Sequence, residues 1–76
     1  MVTLITAADC GLCRKAEATL RRLQAKIRFD IDLVDIGADD ELFRKYWDRV
    51  PVVMVDGQEV AAAPVDEKRL AAALGA

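Results

Sequence analysis

The sequence predicts an α/β fold in which a four-stranded mixed sheet carries helices on both faces. Three segments repeat apolar residues at steps of three and four, which is typical of amphipathic helices. Four shorter segments are β-branched or alternate in polarity, which is typical of strands. Their order, β-α-β-α-β-β-α, favours parallel pairing of the first two strands, because a helical crossover returns the chain in the same direction. The 76 residues, 54% of them hydrophobic, suffice for one core and one domain, residues 1–76.

The first strand is the apolar, β-branched run of residues 1–6, and the polar loop of residues 7–9 ends it. A helix should follow, with Asp9 or Cys10 as its N-cap. Its apolar residues recur on one side while charged residues occupy the other. This apolar stripe consists of Leu12, Ala16, Leu20, Leu23 and Ile27.

The second strand is predicted over residues 28–35, where Phe29, Ile31 and Leu33 alternate with polar residues. This alternation is typical of a half-buried strand, whose apolar face is covered. Gly37 breaks this pattern, and Asp39 is a suitable cap for a short second helix. Four apolar side chains of that helix are expected to pack against the sheet. They are Leu42, Phe43, Tyr46 and Trp47.

A β-hairpin should follow Pro51, with strands over residues 52–55 and 59–60. Asp56 and Gly57 between them suit the positive φ angles of a type I′ turn. Asp66 can cap a last helix that carries Leu70 and Leu74, and Gly75 can end it.

Cys10 and Cys13 are the only cysteines, and they lie where the first strand gives way to the first helix. A disulfide between them would close too short a loop to restrain the unfolded chain much, so it would add little stability and the pair is poorly placed as a structural disulfide. The helix start offers unpaired N–H groups and the positive end of the helix dipole, which favour a thiolate. Cys10 is therefore the candidate nucleophile. Cys13, one turn further on, is the candidate resolving thiol for a mixed disulfide on Cys10.

The residues around the cysteines modulate this chemistry. Gly11 is expected to allow a tight turn, and Leu12 to present an apolar surface at the tip of the motif. Arg14 and Lys15 can stabilise a thiolate on Cys10, whereas the Asp9 carboxylate disfavours it. We therefore expect the pKa of Cys10 to be lowered only moderately.

Composition excludes several classes of function. The net charge of −2 comes from interspersed acids and bases, without the basic excess that nucleic-acid binding requires. Histidine is absent, which removes the commonest nitrogen ligand of zinc and the commonest general base. No apolar run is long enough to cross a membrane and no secretory signal pattern occurs, so a soluble, cytoplasmic protein is expected. We also expect a monomer without a bound metal.

The whole chain resembles the glutaredoxin branch of the thioredoxin fold, most closely the small bacterial glutaredoxin-like proteins. The strand-loop-helix segment with Cys10 and Cys13, the segment of residues 50–53, and the Asp56-Gly57 hairpin carry this resemblance. It implies a thiol-disulfide oxidoreductase of cell redox homeostasis, acting in electron transfer on disulfide-containing proteins or small thiols. It also implies that Pro51 is cis and faces the dithiol, and that the Val50 backbone pairs with a bound substrate.

Glutathione is implied only as a possible co-substrate, because several glutaredoxin features are missing. Leu12 replaces the usual aromatic residue, and Ala7 replaces a basic one. Ala61 and Ala62 replace paired glycines, and Asp66 only approximates the acidic residue that follows them. Four cations could hold an anionic peptide, although a solvated helix surface explains them as simply. They are Arg14, Arg44, Lys45 and Arg49.

Two other functions fit a bare cysteine pair of this spacing. One is a metal or iron–sulfur module, in which a dimer or added thiols complete a site that two thiolates cannot fill. The other is a non-catalytic domain that binds a peptide beside Pro51. Metal content would identify the first, and a function that survives serine at both cysteines would identify the second.

Overall fold

A computed structural model describes residues 1–75, so the last residue of the expected domain, residues 1–76, lies outside the described part. The element order is the predicted one, with an additional 3-10 turn over Ile36–Ala38. The sheet has four strands in the order β2-β1-β3-β4. The elements are β1 Val2–Thr6, α1 Gly11–Gln24, β2 Ile31–Asp35, α2 Asp40–Tyr46, β3 Val52–Val55, β4 Gln58–Ala62 and α3 Glu67–Ala73.

The strand directions bring three strand ends to one edge of the sheet. β1 runs parallel to β2, with Thr6 paired to Asp35. β1 runs antiparallel to β3, with Ile5 paired to Val52. The carboxyl ends of β1 and β2 and the amino end of β3 therefore lie together at what we call the upper edge. Cys10, four residues after Thr6, is carried to this edge.

Each face of the sheet has its own apolar cluster, which confirms the prediction of helices on both faces. The first cluster joins strand residues to α1 and α3, and the second joins the opposite strand faces to α2. The first contains Val2, Leu4, Ala16, Leu20, Leu23, Val53, Ala61 and Leu70. The second contains Ile5, Ile36, Tyr46 and Val52.

Capping and turn chemistry follow the sequence prediction. The Asp39 carboxylate accepts hydrogen bonds from the N–H groups of Glu41 and Leu42, at 2.8 and 3.2 Å. The Asp66 carboxylate accepts one from the N–H of Lys68 at 3.0 Å. The hairpin turn has positive φ at Asp56 (50°) and Gly57 (85°), the backbone that a type I′ turn requires.

Three residues predicted to be buried are exposed instead, so these predictions were wrong. Phe43 is 52% exposed and Trp47 is 61% exposed, whereas Tyr46 on the same helix is 6% exposed. A seven-residue helix has one narrow contact stripe, and Tyr46 with the partly buried Leu42 occupies it. Leu33 is 44% exposed because β2 is an edge strand with a neighbour on one side only.

Element boundaries shift by a few residues. α1 ends at Gln24, but the Ile27 N–H still donates to the Leu23 carbonyl at 2.8 Å, which keeps the apolar stripe in a terminal turn. The Gln24 amide donates to the Phe29 carbonyl at 2.9 Å, so this backbone group is held outside the sheet and β2 starts only at Ile31. Within residues 1–75, no helix is long and apolar enough to cross a membrane.

Candidate redox site

Cys10 is the N-cap of α1, one of the two positions predicted for that cap. Its backbone is extended, with φ −119° and ψ 106°, and its Sγ accepts a hydrogen bond from the Cys13 N–H at 3.1 Å. The carbonyl of Cys10 accepts from the Arg14 N–H at 3.1 Å. The sulfur therefore takes the capping role that a side-chain oxygen usually fills, next to the positive end of the helix dipole.

Cys10 and Cys13 are joined as a disulfide, with their Cα atoms 5.2 Å apart. The two side chains differ in accessibility. Cys13 is 2% exposed and packs within the fold, whereas Cys10 is partly exposed at the upper edge. A molecule in solution can therefore approach the sulfur of Cys10, whereas the buried sulfur of Cys13 is accessible mainly to the sulfur of Cys10.

The loop before the motif holds a turn that the sequence interpretation placed elsewhere. Asp9 has a positive φ of 54°, whereas a Cβ on Gly11 would meet no atom within 4 Å. The expectation that Gly11 allows the tight turn was therefore wrong, and Asp9 makes it. Aspartate is among the few non-glycine residues that visit this region, which is the signal that could have identified it. Leu12 is 50% exposed, so its side chain presents apolar surface between the cysteines.

Val50 and Pro51 lie immediately before β3 and therefore at the upper edge, where β1 also ends. The bond between them is cis, as the family resemblance implies. Pro51 is fully buried and Val50 is partly buried against the second cluster. A second cis bond, Ala63-Pro64, was not predicted.

Two of the candidate anion-binding cations have partners within the chain. The Arg49 guanidinium donates to both carboxylate oxygens of Glu59, at 2.7 and 2.9 Å, and lies 5.6 Å from the centroid of the Tyr46 ring. The Lys45 ammonium lies 5.2 Å from the same ring. Arg14 and Arg44 are exposed side chains.

Asp66, which approximates the acidic residue that follows the paired glycines in glutaredoxins, lies away from the dithiol. It lines a cleft of about 530 Å³ together with Leu23 and Ile27, at the carboxyl end of α1. Leu23 follows Cys10 by thirteen residues, or about 20 Å along a helix. Ala61 is buried in the first cluster, on the face of the sheet that packs against α1 and α3. Within residues 1–75, no group of three or more His, Cys, Asp or Glu residues is placed to hold a metal ion.

Replacing Asp9 by asparagine should lower the pKa of the reduced Cys10 thiol. The Asp9 carboxylate adjoins Cys10, and removing its charge favours the thiolate. Asparagine also tolerates a positive φ. We therefore expect the Cys10 thiolate to form at a lower pH in the Asp9→Asn protein than in the protein that keeps Asp9.

The pKa is measured by the absorbance of the thiolate at 240 nm, with Cys13→Ser as the background in both proteins so that a single thiol titrates. Lys15→Gln on the same background removes a positive charge and should move the pKa of Cys10 upward. An unchanged or raised pKa in the Asp9→Asn protein would show that Asp9 does not act on this thiol.

Comparison with protein families gives a match over residues 1–75 to the glutaredoxin-like domain (DUF836). An uncharacterized protein of Mycobacterium tuberculosis is 34% identical over 76 residues, covering 93% of this chain and 78% of the relative. An X-ray structure of a protein from X. campestris is 36% identical, with a TM-score of 0.81 over 97% of this chain and 95% of that one.

Thioredoxins have a similar fold. The X-ray structure of thioredoxin from Fasciola hepatica is 26% identical to this chain, with a TM-score of 0.64. The match covers 96% of this chain and 75% of the thioredoxin. The predicted thioredoxin-like arrangement of the sheet and its helices is thereby confirmed.

Proposed function

The chain belongs to the glutaredoxin-like domain family, and on that basis we propose that it is a thiol-disulfide oxidoreductase cycling Cys10 and Cys13 between dithiol and disulfide. One observation carries the proposal. Cys10 is partly exposed at a helix start, while Cys13, within bonding reach of it, is 2% exposed. Because of this difference in exposure, the Cys10 sulfur attacks an external disulfide, and the Cys13 sulfur then attacks the Cys10 sulfur.

In the first step, the Cys10 thiolate attacks one sulfur of a substrate disulfide. A mixed disulfide forms between Cys10 and that half of the substrate, and the other half leaves as a thiolate that takes a proton from water. The N–H of Cys13 supports the thiolate before attack, since it already donates to the Cys10 Sγ at 3.1 Å.

In the second step, Cys13 loses its proton and attacks the Cys10 sulfur of the mixed disulfide. The Cys10-Cys13 disulfide forms, and the remaining half of the substrate leaves as a thiolate. The substrate has gained two electrons and the dithiol has lost two. Return to the dithiol requires an external thiol, either a dithiol or two molecules of a monothiol such as glutathione.

The remaining proposed site residues position the substrate. Gly11 and Leu12 form the tip between the cysteines, and Val50 with Pro51 borders the same edge before β3. The Val50 backbone would pair with the extended segment that carries the substrate disulfide. No resident cofactor takes part, because the two sulfurs themselves hold the electrons.

The test is the reduction potential of the Cys10-Cys13 pair. The protein is equilibrated in glutathione redox buffers, free thiols are trapped by alkylation, and the fraction of dithiol is read by mass. We expect a reversible two-electron transition at roughly −180 to −270 mV, the range of working oxidoreductases.

Cys13→Ser is the matched control, because it keeps Cys10 and should form only a mixed disulfide with glutathione, without a two-electron transition. If the wild-type pair forms no disulfide at any buffer ratio, the proposal is wrong. Metal content and peptide binding would then be measured next.

A further inference from the structure

The outer face of α2 carries two aromatic side chains that the fold leaves uncovered. Phe43 is 52% exposed and Trp47 is 61% exposed. Phe43 lies in α2, and Trp47 is the C-cap residue, with helical φ and ψ and its N–H donating to the Phe43 carbonyl at 2.9 Å. Their side chains are therefore neighbours and form one surface, the α2 aromatic patch. Large apolar side chains grouped on a surface mark interaction sites far more often than single ones do.

The patch lies at the same edge of the sheet as the dithiol. α2 connects the end of β2 to the start of β3, and both of these strand ends lie at the upper edge. Tyr46, next to Trp47, shares its apolar cluster with Ala7, which precedes Cys10 by three residues. Trp47 itself precedes Val50 by three residues. A protein bound through the patch would therefore be held next to the site of exchange.

The size of the patch indicates which kind of partner it fits. An aromatic side chain offers about 150–250 Å² when fully accessible, so the exposed parts of Phe43 and Trp47 together offer about 250 Å² at most. A stable dimer needs about 800 Å² from each partner, whereas transient redox encounters use the smallest specific interfaces. The patch is too small to hold a permanent partner and suits one that leaves after reaction.

We propose that the α2 aromatic patch docks proteins whose disulfide is exchanged at Cys10, so that protein disulfides, rather than glutathione disulfide, are the substrate class. This rests on the proposed function. Exposed Trp and aromatic side chains carry a large share of the binding energy where proteins meet. A disulfide as small as that of glutathione gains nothing from a patch outside the exchange site. Of the residues that could bind its charged groups, Arg49 is already paired with Glu59. Asp66 lies in the cleft beside Leu23, at the end of α1 opposite Cys10.

The test compares a protein disulfide with a small one. Reduced wild-type protein and the double variant Phe43→Ser/Trp47→Ser are each mixed with insulin or with glutathione disulfide. The protein dithiol that remains at each time is trapped by alkylation and read by mass, which gives second-order rate constants. We expect the variant to react about 10-fold more slowly with insulin, and within 2-fold of wild type with glutathione disulfide. Leu33→Ser is the matched control, an exposed leucine at mid-strand in β2, and both of its rate constants should equal those of wild type.

Trp47 is the only tryptophan, which gives a second measurement that needs no patch variant. In Cys13→Ser protein, a mixed disulfide of Cys10 with an insulin chain should shift the Trp47 emission to shorter wavelength, because docking removes water from the ring. The mixed disulfide with glutathione should leave the emission unchanged.

Three results would overturn the docking surface while leaving the proposed function intact. The first is an insulin rate constant that is unchanged in the double variant, and the second is an equal fall of the rate constants for both substrates. The third is concentration-dependent dimerisation of wild type that the double variant abolishes, which would assign the patch to a second copy. A wild-type protein that reacts with neither disulfide would instead overturn the proposed function, and the docking surface with it.

Discussion

Cys10→Ser protein should exchange with insulin at least about 10³-fold more slowly than wild type. The serine hydroxyl is not ionised near neutral pH and is a poor nucleophile toward sulfur, so the first step loses its attacking group. Cys13 cannot replace it, because its side chain is 2% exposed and a protein disulfide cannot reach it. The measurement is the loss of the protein's own thiol, trapped by alkylation and read by mass, after the reduced variant is mixed with insulin.

Cys13→Ser protein provides the matched comparison, because it also lacks one thiol but keeps the nucleophile. We expect it to react with insulin at a rate near that of wild type and then stop at a mixed disulfide with one insulin chain. Mass measurement under non-reducing conditions identifies this adduct. If Cys13→Ser were inactive while Cys10→Ser formed the adduct, the roles proposed for the two cysteines would be reversed.

Leu20→Ala should destabilise the oxidised protein by about 2–5 kcal/mol, the range for removing a leucine from a packed interior. Leu20 is 0% exposed and belongs to the first cluster, where α1 meets the sheet and α3. A small domain has about 5 kcal/mol of stability or little more, and each kcal/mol moves its Tm by about 4–8 °C. We therefore expect the Tm, followed by far-UV circular dichroism, to fall by about 10 °C or more.

Leu33→Ala is the control for this loss, because it removes the same atoms from a leucine that is 44% exposed on the edge strand. We expect it to cost less than about 1 kcal/mol, since little apolar surface leaves a packed environment. Equal losses of unfolding free energy for Leu20→Ala and Leu33→Ala would mean that Leu33 is buried in solution, by a contact from outside this chain.

The sequence was sufficient wherever structure depends on neighbours along the chain. The Asp39 and Asp66 caps accept the N–H groups expected of them, and Asp56 with Gly57 has the turn backbone predicted for it. The position of Cys10 at the start of α1 was likewise predicted from neighbouring residues. A cap, a turn and a helix start are each decided within about four residues, so a short pattern of residue types contains the necessary information.

The tertiary structure alone decided which apolar residues are covered and which charged residues meet. Phe43 and Trp47 fit a helical stripe by spacing, but the short α2 buries only Tyr46 and Leu42 against the sheet. Leu33 alternates as a buried strand residue does, but burial also needs a second neighbour, which an edge strand lacks. Arg49 is engaged by Glu59, ten residues away, because the fold brings the loop after α2 beside β4. Periodicity along a sequence states which side of an element is apolar, whereas burial depends on what the rest of the chain places against that side.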